Sequence, residues 1–148
     1  CIMINKPITQ LEQLTLKNTS KSFLKETVKW TRFLSILGFV LILFMLVLAA
    51  FSSTIFNMVA KVQPGIPESL GLSLAITYLV LSIIYFFPVY YLLQFSSKMK
   101  KALTTKNNET LAGAFKMLKS HYKFIGVFTI ITLSLYALLF IVSLLGVL

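Results

Sequence analysis

Phe39-Val40-Leu41-Ile42-Leu43-Phe44-Met45-Leu46-Val47-Leu48-Ala49-Ala50-Phe51 is apolar at every position. It lies inside a longer run, 33–60, that holds no Asp, Glu, Lys, Arg or His. Two further runs share that property, 69–97 and 124–148, and the three are 28, 29 and 25 residues long. A helix rises about 1.5 Å per residue, so each run reaches roughly 37–44 Å, more than the ~30 Å hydrocarbon layer of a bilayer. The pattern predicts an all-α integral membrane protein with three transmembrane helices. A membrane β-barrel does not fit, because its strands are about ten residues of alternating polarity. A water-soluble core does not fit either, since each run can satisfy its own backbone in lipid as a helix. The chain is 57% apolar with mean hydropathy +0.88, against about 45–50% apolar for soluble domains. One membrane domain, 1–148, is expected.

The net charge is +10, from 14 Lys/Arg against four Glu. Six cations (Lys6, Lys17, Lys21, Lys25, Lys29, Arg32) precede the first run, and seven (Lys98, Lys100, Lys101, Lys106, Lys116, Lys119, Lys123) separate the second from the third. Only Lys61 lies between the first two. Cytoplasmic segments carry the Lys/Arg excess in membrane proteins. The N-terminal segment and the 98–123 connection are therefore expected in the cytoplasm, with the 61–68 loop and the C-terminus outside. This topology, with anionic lipid, accounts for the basic residues, and nucleic acid is not expected as a partner.

Cys1 is the sole cysteine, so no disulfide forms within the chain. It reads either as the lipidated first residue of a lipoprotein or as a ragged start ahead of Met3. Lipidation would put the N-terminus outside, against the charge asymmetry. No cleavable signal is expected ahead of the first span.

Along the chain, 8–29 reads as cytoplasmic or interfacial helix. Thr9-Gln10-Leu11-Glu12 fits a capping box for a short amphipathic helix over 8–16, with Ile8, Leu11 and Leu14 on one face. A second helix is expected to start near Ser20–Ser22 and to feed into the first span, 33–58. Trp30, with Lys29 and Arg32 beside it, suits the headgroup level. Val62-Gln63-Pro64-Gly65-Ile66-Pro67 must turn. The second span is expected over 70–95. Pro88 inside it removes a backbone donor and crowds the carbonyl of Ile84, which predicts a kink or an end near Phe87. Ser97–Thr105 continues as polar helix, and Lys106-Asn107-Asn108 breaks it. The 98–123 connection then holds a second amphipathic helix, Glu109–Tyr122, capped by Asn107 or Asn108, with Leu111, Phe115, Leu118 and Tyr122 as its apolar stripe. The third span is expected over 124–148.

Little here suggests chemistry. His121 is the only histidine, a metal site needs several ligands, and it is read as a surface residue. The four Glu are scattered, so no acid–base pair is evident. No ionisable residue lies within a span, which disfavours proton-coupled transport. No catalytic residue, cofactor or metal is expected. Small residues at four-residue spacing let helices approach closely. On the second span these are Ser69, Ser73 and Thr77, with Gly71 and Ala75 as a neighbouring row; Gly126, Thr129 and Thr132 are a weaker counterpart on the third. The residues expected at the lipid interface are Trp30, Arg32, Lys98, Lys100, Lys101, Phe115, Lys116, Lys119 and Lys123.

Three segments resemble a known family when taken together: Lys25-Glu26-Thr27-Val28-Lys29-Trp30-Thr31-Arg32-Phe33-Leu34-Ser35-Ile36-Leu37-Gly38, then Tyr85-Phe86-Phe87-Pro88 through Gln94-Phe95-Ser96-Ser97-Lys98-Met99-Lys100, and Leu118-Lys119-Ser120-His121-Tyr122-Lys123-Phe124-Ile125-Gly126. Their order and spacing are similar to those of small membrane proteins of Bacteroidota known as a domain of unknown function. The resemblance spans most of Leu24–Leu148 and leaves out Cys1–Ile8. It implies a bacterial inner-membrane protein, and it implies no catalytic residue or substrate.

The expected function is that of a non-enzymatic membrane subunit or scaffold, packing with copies of itself or with a larger inner-membrane complex in contact with anionic lipids. A homo-oligomeric channel or permease component is the alternative from another class. A lipid-binding protein acting at the membrane surface is a third.

Overall fold

The structure is a computed structural model that describes residues 16–67 and 69–146. Three helices make it up: α1 (Asn18–Val62), α2 (Ser69–Thr105) and α3 (Asn108–Leu144). Among the described residues there is no strand. All three helices are long and apolar enough to cross a membrane. The amphipathic helix expected over 8–16 lies outside the described residues, apart from its last position.

The polar lead-in and the first span are one element. α1 starts at Asn18 and runs without a break through Trp30 and the charge-free stretch to Val62. It stops where the sequence brings Gln63, Pro64 and Gly65 together. The Gln63 N–H still reaches the Val59 carbonyl at 2.9 Å. Gly65 then takes φ +115°, open to glycine and rarely to other residues. α2 begins at Ser69, with the Leu70 N–H donating to the Pro67 carbonyl.

Pro88 does not end α2. The helix continues from Ser69 to Thr105, so the second span and the polar segment after it are one continuous helix. The α2–α3 link is Lys106-Asn107. Lys106 adopts φ 53°, the left-handed conformation that closes many helices. Asn107 caps α3, its side-chain oxygen accepting from the N–H groups of Glu109 (2.8 Å) and Thr110 (3.3 Å). Glu109 sits in the first turn, favourable to the helix dipole. The amphipathic helix expected as a separate piece over 109–122 is instead the first turns of α3. Nothing between Tyr122 and Phe124 interrupts it, because the junction has neither glycine nor proline.

α2 is the central helix. α1 and α3 each lie against it, and their backbones do not approach one another. The apolar core sits at the charged end of the molecule. Val28 of α1, Phe95 and Met99 of α2 and Ala114 of α3 are buried there, with Leu24, Leu103, Leu111, Met117 and Leu118 packed around them. Toward the other end of α3 no residue from Ile125 to Gly146 is buried, and only Thr132 and Val142 are half-buried.

Candidate functional site

The seam between α1 and α2 is built from small residues. A Cβ placed on Gly71 would stand 2.9 Å from the Ser53 Cα and 3.1 Å from the Ser52 carbonyl oxygen, so only glycine permits this approach. The Ser52 hydroxyl is shared between the Ala49 carbonyl of its own helix (3.1 Å) and, across the seam, the Gly71 carbonyl (3.3 Å). Midway along, Gly38 faces Val89, and a Cβ there would lie 2.7 Å from Val89 Cγ2. At the charged end the buried Ser96 hydroxyl donates to the Val28 carbonyl at 3.1 Å. Interhelical hydrogen bonds and small-residue contacts are what hold helices together where lipid removes any hydrophobic drive.

Of the two small-residue rows on α2, Gly71 and Ala75 belong to this seam: Gly71 is buried and Ala75 half-buried. Ser69, Ser73 and Thr77 are exposed. Two of their hydroxyls turn back onto their own helix, Ser73 to the Ser69 carbonyl (3.0 Å) and Thr77 to the Ser73 carbonyl (2.8 Å). The rows differ by two residues, about 200° around a helix, so α1 can cover only one of them. On α3, Gly126 has nothing near it.

His121 was expected at the surface and is not. It is half-buried, and its Nδ1 lies 2.8 Å from the carbonyl oxygen of Pro88. With the proton on Nδ1 the ring donates to that carbonyl, tying α3 to α2. Aromatic rings surround the junction: Phe87 meets Phe124 at 5.8 Å, Phe86 stacks on Tyr90 at 6.0 Å, and Phe39 of α1 meets Phe86 edge-on at 6.0 Å. Part of the Tyr85–Tyr91 aromatic cluster therefore makes contacts between helices.

The face that α3 turns to α2 is not the stripe of its large side chains. Ala114 is buried, with Leu111, Met117, Leu118 and His121 half-buried around it. Phe115 and Tyr122, expected on the packed face, are 45% and 65% exposed. Burial therefore centres the contact on Ala114 rather than Phe115.

Apart from Lys61, the cations among the described residues occupy the end of the molecule where the helices share a core. Arg32 of α1 and Lys100 of α2 line one cleft, together with Lys25 and Lys29. Lys98 is half-buried, its chain 3.9 Å from where a Cβ on Gly113 would be. Lys101, Lys116, Lys119 and Lys123 are exposed. Trp30 is exposed and meets Phe33 edge-on at 6.2 Å. Gly38, Ser52, Ser96 and the pairing of Lys25 and Lys29 with Lys100 emerge only from the structure. For the first three the signal available was a small or polar residue inside a long apolar run.

Among the described residues no group of His, Cys, Asp or Glu is arranged to hold a metal. No protein-family model, curated protein or solved structure matches this chain.

Proposed function

We propose that this chain is a non-enzymatic membrane subunit that packs, through its spans, with copies of itself or with a larger complex. Its place is the bacterial inner membrane, with the N-terminal segment and the 98–123 connection in the cytoplasm. One observation carries the reading: small-residue surfaces remain open after the three helices have packed. Lipid can cover an exposed Leu or Phe of a span at no cost. A row such as Ser69, Ser73 and Thr77, exposed on the central helix, lets a second helix approach more closely than lipid does. The third span adds a surface with no buried residue from Ile125 to Gly146. Hydroxyls already bonded to their own helix are less available to line a polar path, so the subunit reading stands ahead of the channel reading.

The test is isolation from native membranes in mild detergent with mass measurement of the intact assembly. A stable complex with a larger membrane protein, or a small defined multiple of this chain, supports the proposal. A closed ring of copies that passes ions after reconstitution favours the channel. A lone chain with no protein companion overturns the subunit reading.

A further inference from the structure

We infer that the cleft between the charged ends of α1 and α2 is a binding site for an anionic phospholipid headgroup, best filled by one with two phosphates. The site stands apart from the span surfaces invoked above. Its cations come from two helices: Lys25, Lys29 and Arg32 from α1, and Lys100 from α2. No carboxylate lines it, and its volume is about 290 Å³. Val28 and Leu103 give it an apolar floor. The two helices are fixed relative to one another at this point, because the Ser96–Val28 hydrogen bond and the Phe95–Met99 core lie one turn away. Four cations that repel one another are thus held around one opening. A polyvalent anion relieves that repulsion, and one headgroup phosphate meets only part of it.

The occupant is a lipid and not a soluble anion because of what continues below the cleft. Lys25, Lys29 and Arg32 fall at positions i, i+4 and i+7, one stripe of α1. The same stripe goes on as Ile36, Val40, Leu43 and Val47, all of them exposed. Arg32 is the last cation before 28 charge-free residues, which puts the cleft at the membrane surface and the stripe in the acyl layer. Cationic opening and apolar stripe together match a molecule with an anionic head and hydrocarbon tails. An acidic protein would satisfy the head of this surface and leave the stripe unexplained.

The experiment uses the full chain in mild detergent, titrated with cardiolipin, phosphatidylglycerol and phosphatidylcholine and read by native mass spectrometry. One cardiolipin per chain is expected to persist at activation energies that strip the other two lipids. Lys25→Gln, Lys29→Gln and Lys100→Gln are each expected to weaken that binding about fivefold. Lys116→Gln, Lys119→Gln and Lys123→Gln, on α3 and outside the cleft, are expected to leave it within twofold. Equal losses in both sets would show a response to total charge and overturn the site. Retention of all three lipids alike would overturn it too. Displacement of cardiolipin by millimolar inorganic phosphate or by a soluble acidic peptide would show a site for free anions, and the lipid assignment would fall.

Discussion

The imidazole of His121 in α3 lies against the carbonyl of Pro88 in α2, Nδ1 to oxygen at 2.8 Å, across 33 residues of sequence. Pro88 removes the donor that the Ile84 carbonyl would use, and the His121 contact falls instead on Pro88's own carbonyl, a separate bond between the helices. The one histidine of the chain lies at that level. His121→Phe keeps an aromatic ring beside Tyr122 and removes the donor. It should cost about 0.5–1.5 kcal/mol, the net worth of one hydrogen bond. Thermal unfolding in detergent, read by helix content, measures it. Stability equal to wild type would show that the contact contributes nothing.

Gly71 carries a second prediction. Gly71→Ala places a methyl against the Ser53 Cα and the Ser52 carbonyl, and backbone atoms cannot swing aside. Overpacking of this kind costs about 1–3 kcal/mol, offset by roughly 1 kcal/mol of better helix propensity. The end of the α1–α2 seam away from the shared core should loosen. Ser73→Leu, on the exposed row, should leave the isolated chain's unfolding temperature unchanged and abolish its association in mild detergent. Both substitutions giving the same loss of stability would contradict this division of faces.

The two rows show how far the sequence could be read. Three charge-free runs made three membrane helices legible, because the length of such a run and the thickness of lipid leave little choice. The link at Lys106–Asn108 was legible too, since asparagine before a polar helix start is a chemical signal. Side-chain facing was not. Rows two residues apart on α2 are equally small, and only the partner helix decides which is covered. On α3 the large side chains Phe115 and Tyr122 stand out, while the small Ala114 is the buried one. His121 pairs with a backbone carbonyl, and any residue could have supplied that carbonyl. The cationic cleft needed the register between α1 and α2, which no local pattern encodes.

Lys106 supplies a stabilising change. Its φ of 53° costs an ordinary L-residue about 1–2 kcal/mol, and glycine avoids most of that. Lys106→Gly should therefore raise stability by roughly 0.5–1 kcal/mol, the usual size of a compatible backbone change. Lys106→Ala, which removes the same charge without relieving the backbone, should not. If both variants stabilise equally, the cause is charge and not conformation.

Orientation has its own test. The proposed topology puts position 106 in the cytoplasm and position 66 outside, on the strength of 13 cations against one on the two sides. Single cysteines at these positions, in a chain with Cys1 replaced, should react oppositely with an impermeant thiol reagent on intact spheroplasts. Labelling at 66 and protection at 106 are expected. The reverse pattern would invert the protein in the membrane and move the cationic cleft to the outer leaflet.

The last prediction separates the packed face of α3 from its apparent one. Leu111, Phe115, Leu118 and Tyr122 repeat at helical spacing and would be the natural choice for a docking stripe. The contact centres instead on Ala114, buried beside Met99, and Phe115 stands 45% exposed. Met99→Ala opens a void between α2 and α3 and should cost about 2–5 kcal/mol, the usual range for a buried methionine. Ala114→Leu adds bulk at a fully buried position and should cost about 1–3 kcal/mol. Phe115→Asp should cost less than either in the isolated chain, since its ring already faces outward. It should act mainly on lipid contact, because a carboxylate replaces an apolar ring on a surface rich in lysine. Hydrogen exchange on the reconstituted protein reads all three. Amides of residues 109–122 should be protected in the wild type and in Phe115→Asp, and should exchange markedly faster in Met99→Ala and Ala114→Leu. Loss of protection in Phe115→Asp alone would return the docking face to the stripe of large side chains and displace Ala114 from the centre of the contact.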